Sequence, residues 1–117
     1  MKPICIKRIY DKPSDNDGYR VLVDKFWPRG VTKLRANLDE WNKEVAPSTA
    51  LRKWFDHKAD RFEEFSLRYQ EELLLKEEEL NRLRTIAKSE SISLLYGAKN
   101  PKVNHAIVLK NVLTKKY

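Results

Sequence analysis

The chain has 117 residues, 41% of them hydrophobic, with three Trp, four Phe and five Tyr, which suits one domain (1–117) with a real core. No apolar run approaches the roughly 18 residues of a membrane span, and the start MKPICIKRIYD lacks a signal-peptide cleavage pattern, so a cytoplasmic chain with no membrane partner is expected. The formal net charge of +7 sits at the chain ends: residues 1–35 hold nine basic and four acidic groups, residues 91–117 five lysines and no acid, and the middle is net acidic.

Residues 4–10 alternate Ile4, Ile6, Arg8 and Tyr10 against Cys5, Lys7 and Ile9, the period of a strand. Cys5 is the single cysteine, so no internal disulfide forms, and between two isoleucines it reads as a small hydrophobe. Residues 11–18 are turn formers. Residues 20–25 form a second strand whose Val21, Leu22 and Val23 do not alternate, as in a strand covered on both faces. Eight loop residues are short for a helical crossover. Taken alone, that favours an antiparallel hairpin with a wide loop; a loop that returns over the sheet and keeps the strands parallel stays open on the residues.

Residues 31–47 fit a helix through Leu38, Trp41 and Val45, or a short irregular strand, ending at Pro47. Ser48 or Thr49 then caps a helix bearing Leu51, Trp54 and Phe55. Asp60 with Glu63 has the spacing of a capping box before a helix carrying Phe62, Phe65, Tyr69 and Leu73. That helix runs to about residue 75, and Leu80, Leu83 and Ala87 continue the period, so a second helix follows or the first extends. Residues 91–96 form a strand, and Asn100 and Pro101 read as cap and first residue of a last helix that buries Ala106, Ile107, Leu109 and Leu113 before a basic tail. The expected fold class is α/β: a small layered domain with a mostly parallel sheet of about four strands flanked by helices.

Two places carry reactive residue types. Ligands of open α/β sheets sit outside the carboxyl ends of the strands, which puts Asp24, Trp27 and Arg29 of VDKFWPRG at a candidate site. Asp24 has the chemistry of a general base, and Arg29 the planar fork that grips phosphate or carboxylate. The alternative is an Asp24–Arg29 pair that pins the turn, with Trp27 and Pro28 in the core. The second place is the last helix's start, where unpaired amides favour an anion. There Lys99 adds charge, Asn104 and His105 lie within the second turn, and His105 has the chemistry of an acid or base; His105 can equally be tucked against the sheet. If the two places share a cleft, with Lys7 or Arg8 joining, Arg29, Lys99, Asn104 and Arg8 bind an anionic ligand, Trp27 forms a wall, and His105 or Asp24 serves as acid or base.

No cofactor is expected: three glycines leave no dinucleotide fingerprint, and there is no Walker loop. No metal site is expected either, because His57 and Asp60 have no further His or Cys beside them. A basic nucleic-acid-binding module, with Lys102, Lys110, Lys115 and Lys116 on phosphates, is the alternative function. A protein-interaction module built on the helices of residues 49–88 is the third.

The runs GYRVLVDKFWPRGV, LDEWNKEVAPSTALRKWF, FSLRYQEEL and LLYGAKNPKVNHAIVLKNVL together resemble the YeaO-like family, the domain of unknown function 488. The resemblance covers nearly the whole chain in order. Members commonly have arginine where Lys25 stands and alanine where Gly97 stands. The resemblance implies a small cytosolic α/β domain with a parallel sheet and both candidate loops on one edge, and it implies no particular reaction.

Overall fold

Every residue of β4, Ile92–Tyr96, is buried, and this strand lies between two parallel neighbours. The computed structural model describes residues 1–115. Its sheet runs β1 (Ile4–Arg8), β4, β2 (Tyr19–Leu22), β3 (Glu40–Trp41), and every pairing is parallel. The question of a hairpin between the first two strands is thereby answered. They are not neighbours; β4 comes back between them, with Ile4 opposite Ile92 on one side and Tyr19 opposite the same residue on the other.

The two faces of the sheet carry different cores. Val21, Val23, Leu94 and Tyr96 face the larger one, where α2 (Thr49–Phe55), α3 (Phe62–Leu73), α4 (Glu77–Ala87) and α5 (His105–Thr114) pack. Leu22 and Leu95 face a smaller core made by Val31, Trp27, Trp41 and α1 (Lys33–Ala36). Consecutive strand residues point to opposite faces, so a strand covered on both sides needs an unbroken apolar run. That is the run Val21–Val23. Cys5 is exposed because β1 is an edge strand and the smaller core does not extend over it.

The helix through Leu38, Trp41 and Val45 does not form: the stretch 31–47 holds a four-residue α1 ahead of Leu38, and Trp41 lies in the two-residue strand β3. Ser48 caps α2, its side chain accepting from the Leu51 amide at 3.1 Å. Phe65, Tyr69 and Leu73 of α3 recur on one face and are buried there. The capping box at Asp60 and Glu63 does not form. A 3-10 turn, Ala59–Arg61, runs straight into α3, and the Phe62 amide bonds to the Ala59 carbonyl without a side-chain cap. Another 3-10 turn, Leu74–Lys76, joins α3 to α4.

The last helix also starts later than its sequence pattern suggests. Asn100 accepts from the amides of Lys102 and Val103, at 2.8 and 3.1 Å, which makes a local turn rather than a cap. The true N-cap is Asn104, whose Oδ1 accepts from the Ile107 amide at 3.1 Å, and His105 is the first helical residue. Ile107 is half-buried; Val108 and Val112 lie deeper, with Ala106, Leu109 and Leu113. No helix among the described residues is long and apolar enough to cross a membrane.

Candidate functional site

The parallel sheet sets all four strand ends on one edge, and β2 and β4 are in register there. The Val23 amide donates to the Leu95 carbonyl at 3.0 Å, so the next residue, Asp24, comes level with Gly97. Asp24 Oδ2 accepts from the Gly97 amide at 2.8 Å. Gly97 allows this approach, since a Cβ there would lie 3.0 Å from the same oxygen.

His105 completes the junction. Its Nε2 lies 3.0 Å from the Val23 carbonyl and 3.1 Å from Asp24 Oδ1. Both neighbours are acceptors, so Nε2 carries the hydrogen. That hydrogen goes to the carbonyl; Asp24 Oδ1 is buried and receives no hydrogen bond. The ring also meets Tyr69 edge-on, with centroids 6.3 Å apart. The first residue of α5 is thus fixed to the end of β2 by its side chain.

A cleft of about 620 Å³ opens beside this junction. Asp24, Gly97, Lys99 and His105 line it from the strand ends and α5, and Arg52 and His57 line it from α2 and the turn after it. A narrower niche of about 60 Å³ adjoins it and shares Arg52, His57, Ala98 and His105. Asn104 borders the niche. It is buried, and its Nδ2 donates to the Asn100 carbonyl at 2.9 Å, so its side chain shapes the loop and caps the helix.

Arg52 and Lys99 are exposed, and neither has a carboxylate partner among the described residues. The Arg52 guanidinium lies over the Phe26 ring, 4.9 Å from its centroid, a contact that leaves its N–H edge free. His57 enters the cleft from an unusual backbone. Asp56 and His57 take left-handed φ angles of 48° and 54°, a conformation that costs a residue with a side chain roughly 1–2 kcal/mol. The turn holds because Asp56 is the C-cap of α2, its amide donating to the Arg52 carbonyl at 3.0 Å.

Of the residues singled out from sequence, the structure brings Asp24, Lys99, Asn104 and His105 together. It does not bring Arg29, Trp27 or Arg8 to the cleft. Trp27 turns into the smaller core on the other face of the sheet, donating to the Val31 carbonyl at 2.6 Å and meeting Trp41 edge-on. Arg29 is exposed and makes no ion pair with Asp24, and its carbonyl accepts from Tyr10 at 3.0 Å. Arg8 donates to the Ala98 carbonyl at 2.9 Å and stacks on Tyr10, so it braces the β4–α5 loop from behind. Lys7 pairs with Asp17, away from the strand ends.

Arg52 and His57 are the residues that sequence reasoning missed. Arg52 stands inside the run APSTALRKWF, where the apolar spacing draws attention to Leu51, Trp54 and Phe55 instead. His57 draws attention only as a metal ligand; among the described residues no cluster of three or more His, Cys, Asp or Glu could hold a metal ion. The lysines of the nucleic-acid alternative are dispersed over the loop and α5, and Lys116 lies outside the described residues.

Residues 3–117 match the family described as the inactive DUF488-N3 subclade. The chain is 49% identical over 110 residues to uncharacterized protein YeaO of Escherichia coli K12, covering 94% of this chain and 96% of that one. It is 38% identical over 110 residues to uncharacterized protein Rv3073c of Mycobacterium tuberculosis H37Rv, covering 94% and 92%. The same figures hold for uncharacterized protein Mb3100c of Mycobacterium bovis. No solved structure matches the chain.

Proposed function

The chain belongs to the inactive DUF488-N3 subclade, and on that premise we propose that the cleft binds a small molecule bearing a phosphate or carboxylate group, without turning it over. The observation that carries the reading is the pair of uncompensated cations, Arg52 and Lys99, that reach one cleft from separate elements. A surface cation is usually solvated or paired; two that share a concave site beside a helix start have an anion as their natural counter-ion. The volume, about 620 Å³, is that of a small-molecule site.

The roles follow from the geometry. Arg52 supplies the bidentate fork and Lys99 a mobile point charge. The amides of the first turn of α5 add the dipole, and Asn104, by taking the Ile107 amide, holds that turn in place. Asp24 and His105 are positioning residues in this reading. With Nε2 bonded to Val23, the free ring nitrogen of His105 is Nδ1, which has no partner among the described residues and is open to a ligand's hydroxyl or acid. The description of the subclade as inactive supports binding without turnover.

Titration with inorganic phosphate at low ionic strength, followed through the amide resonances of residues 98–106, tests this. Saturable shifts at Lys99 and His105 are expected, and Arg52→Ala weakens the affinity about tenfold, the loss of one charge-assisted contact of about 1.4 kcal/mol. Shifts that never saturate, or an Arg52→Ala variant that binds as the parent does, would overturn it.

A further inference from the structure

Resting on the anion reading of the cleft, we propose that the ligand carries a short apolar substituent, about one to three carbons long, next to its charged group. Ala98 and Val103 are the apolar side chains that line the open cleft; the aromatic ones line the niche beside it. Pro47, Phe55, Phe65 and Ala98 give the niche an apolar side, and Arg52 and His105 line both spaces. Phe55 and Phe65 stack with centroids 4.2 Å apart, so that side is a wall of rigid rings continuous with the larger core.

The size decides what fits. The niche measures about 60 Å³ where the cleft measures about 620 Å³. One water needs on the order of 10–15 Å³ of such space, so the niche holds a few waters or one small alkyl group. Water against phenyl rings has few hydrogen-bond partners, and an apolar group that displaces it gains affinity. Because Arg52 and His105 border both spaces, one molecule can keep its anion on Arg52 while its substituent enters the niche. A longer chain outgrows the niche and has to turn back into the open cleft.

The probe is a series of monoalkyl phosphates (methyl, ethyl, propyl, hexyl) with inorganic phosphate as the reference. Calorimetry at constant ionic strength and about pH 8 keeps every member doubly charged. From inorganic phosphate to the ethyl ester, affinity rises about fourfold per carbon, the gain expected for a buried methylene, and it falls or levels off by hexyl. Phe55→Leu widens the niche and moves the best chain length up by one or two carbons. If that variant does not fold, the series on the unaltered protein still decides. A flat series with phosphate bound overturns the inference and leaves the anion reading standing. Affinity that climbs steadily to hexyl also overturns it, since a bounded niche imposes an optimum. No binding of any member overturns both.

Discussion

Asp17 shows how much of this fold hangs on single side chains. Its carboxylate receives Lys7 Nζ at 2.9 Å, Arg20 Nη1 at 2.5 Å and the Ser14 amide at 3.0 Å. Arg20 passes the connection on to the carbonyls of Ala36 and Asn37, so β1, β2 and the end of α1 are tied at one point. Asp17 and Arg20 are 8% and 3% exposed, which makes this a buried pair rather than a surface one. Burial pushes the Asp17 carboxyl up, but the hydrogen bonds from Ser14, Lys7 and Arg20 outweigh it and hold the group below its ordinary 3.8. A carboxyl whose folded value lies below its unfolded one adds stability above the unfolded value and loses it as pH falls through the folded value. The protein therefore loses this contribution below about pH 4. Asp17→Asn leaves Arg20 buried without its counter-charge and lowers stability by about 3 kcal/mol in urea unfolding at neutral pH. Its stability also falls less steeply than the parent's from pH 4 downward. None of this is legible in the sequence, where residues 11–18 are only turn formers. Lys7 and Arg20 sit on strands that flank β4, and Ser93 of β4 donates to the Asp17 carbonyl at 2.7 Å beneath them. The cluster exists only once the order of the sheet is known.

At the scale of elements, the start of α5 matters most, because it is both a cap and a wall of the candidate site. Asn104 is 1% exposed and satisfies groups on both sides of itself, the Ile107 amide and the Asn100 carbonyl. Asn104→Ala removes the cap and strands that carbonyl, with an expected loss of about 1–2 kcal/mol. It also frees the first turn, so phosphate affinity falls with stability even though Asn104 lies in the niche rather than beside Lys99. A variant that lost stability but bound phosphate unchanged would detach the helix start from the site. The sequence shows this element one turn early. Asn100-Pro101 has the residue types of a cap and first position, yet Asn104 has the same capping chemistry, and local pattern gives no reason to prefer it. Packing decides: starting at His105 lets its ring reach the Val23 carbonyl and lets Ala106 and Leu109 enter the larger core. By contrast, the two cap candidates after Pro47, Ser48 and Thr49, are adjacent, and the structure uses Ser48.

The order of the sheet governs the molecule as a whole. β4 arrives last of the four strands and takes an inner place, so until it docks β1 has no neighbour and β2 has only the two-residue β3. The same step assembles the candidate site, since Gly97 meets Asp24 and His105 meets Val23 only when β4 lies against β2. This is why residue types at the two halves of the cleft were readable in sequence while Arg52 and His57 were not. Asp24, Lys99 and His105 follow strand ends, a position with a rule attached. Arg52 and His57 come from a helix laid over that edge, which no strand pattern reports. A central strand buried at every position opens only with the whole molecule, whereas edge elements with little apolar burial open locally. Native-state hydrogen exchange should therefore rank Ser93, Leu94 and Leu95 slowest, at the free energy of global unfolding, with β3 and α1 exchanging through smaller openings. Protection at Gly97, whose amide is held by Asp24, should follow β4 rather than the loop after it, because the Asp24 contact closes only with the β2–β4 register. A Gly97 amide that exchanged as fast as Lys99 would mean that the cleft opens independently of the sheet, and that Lys99 is held by the loop alone.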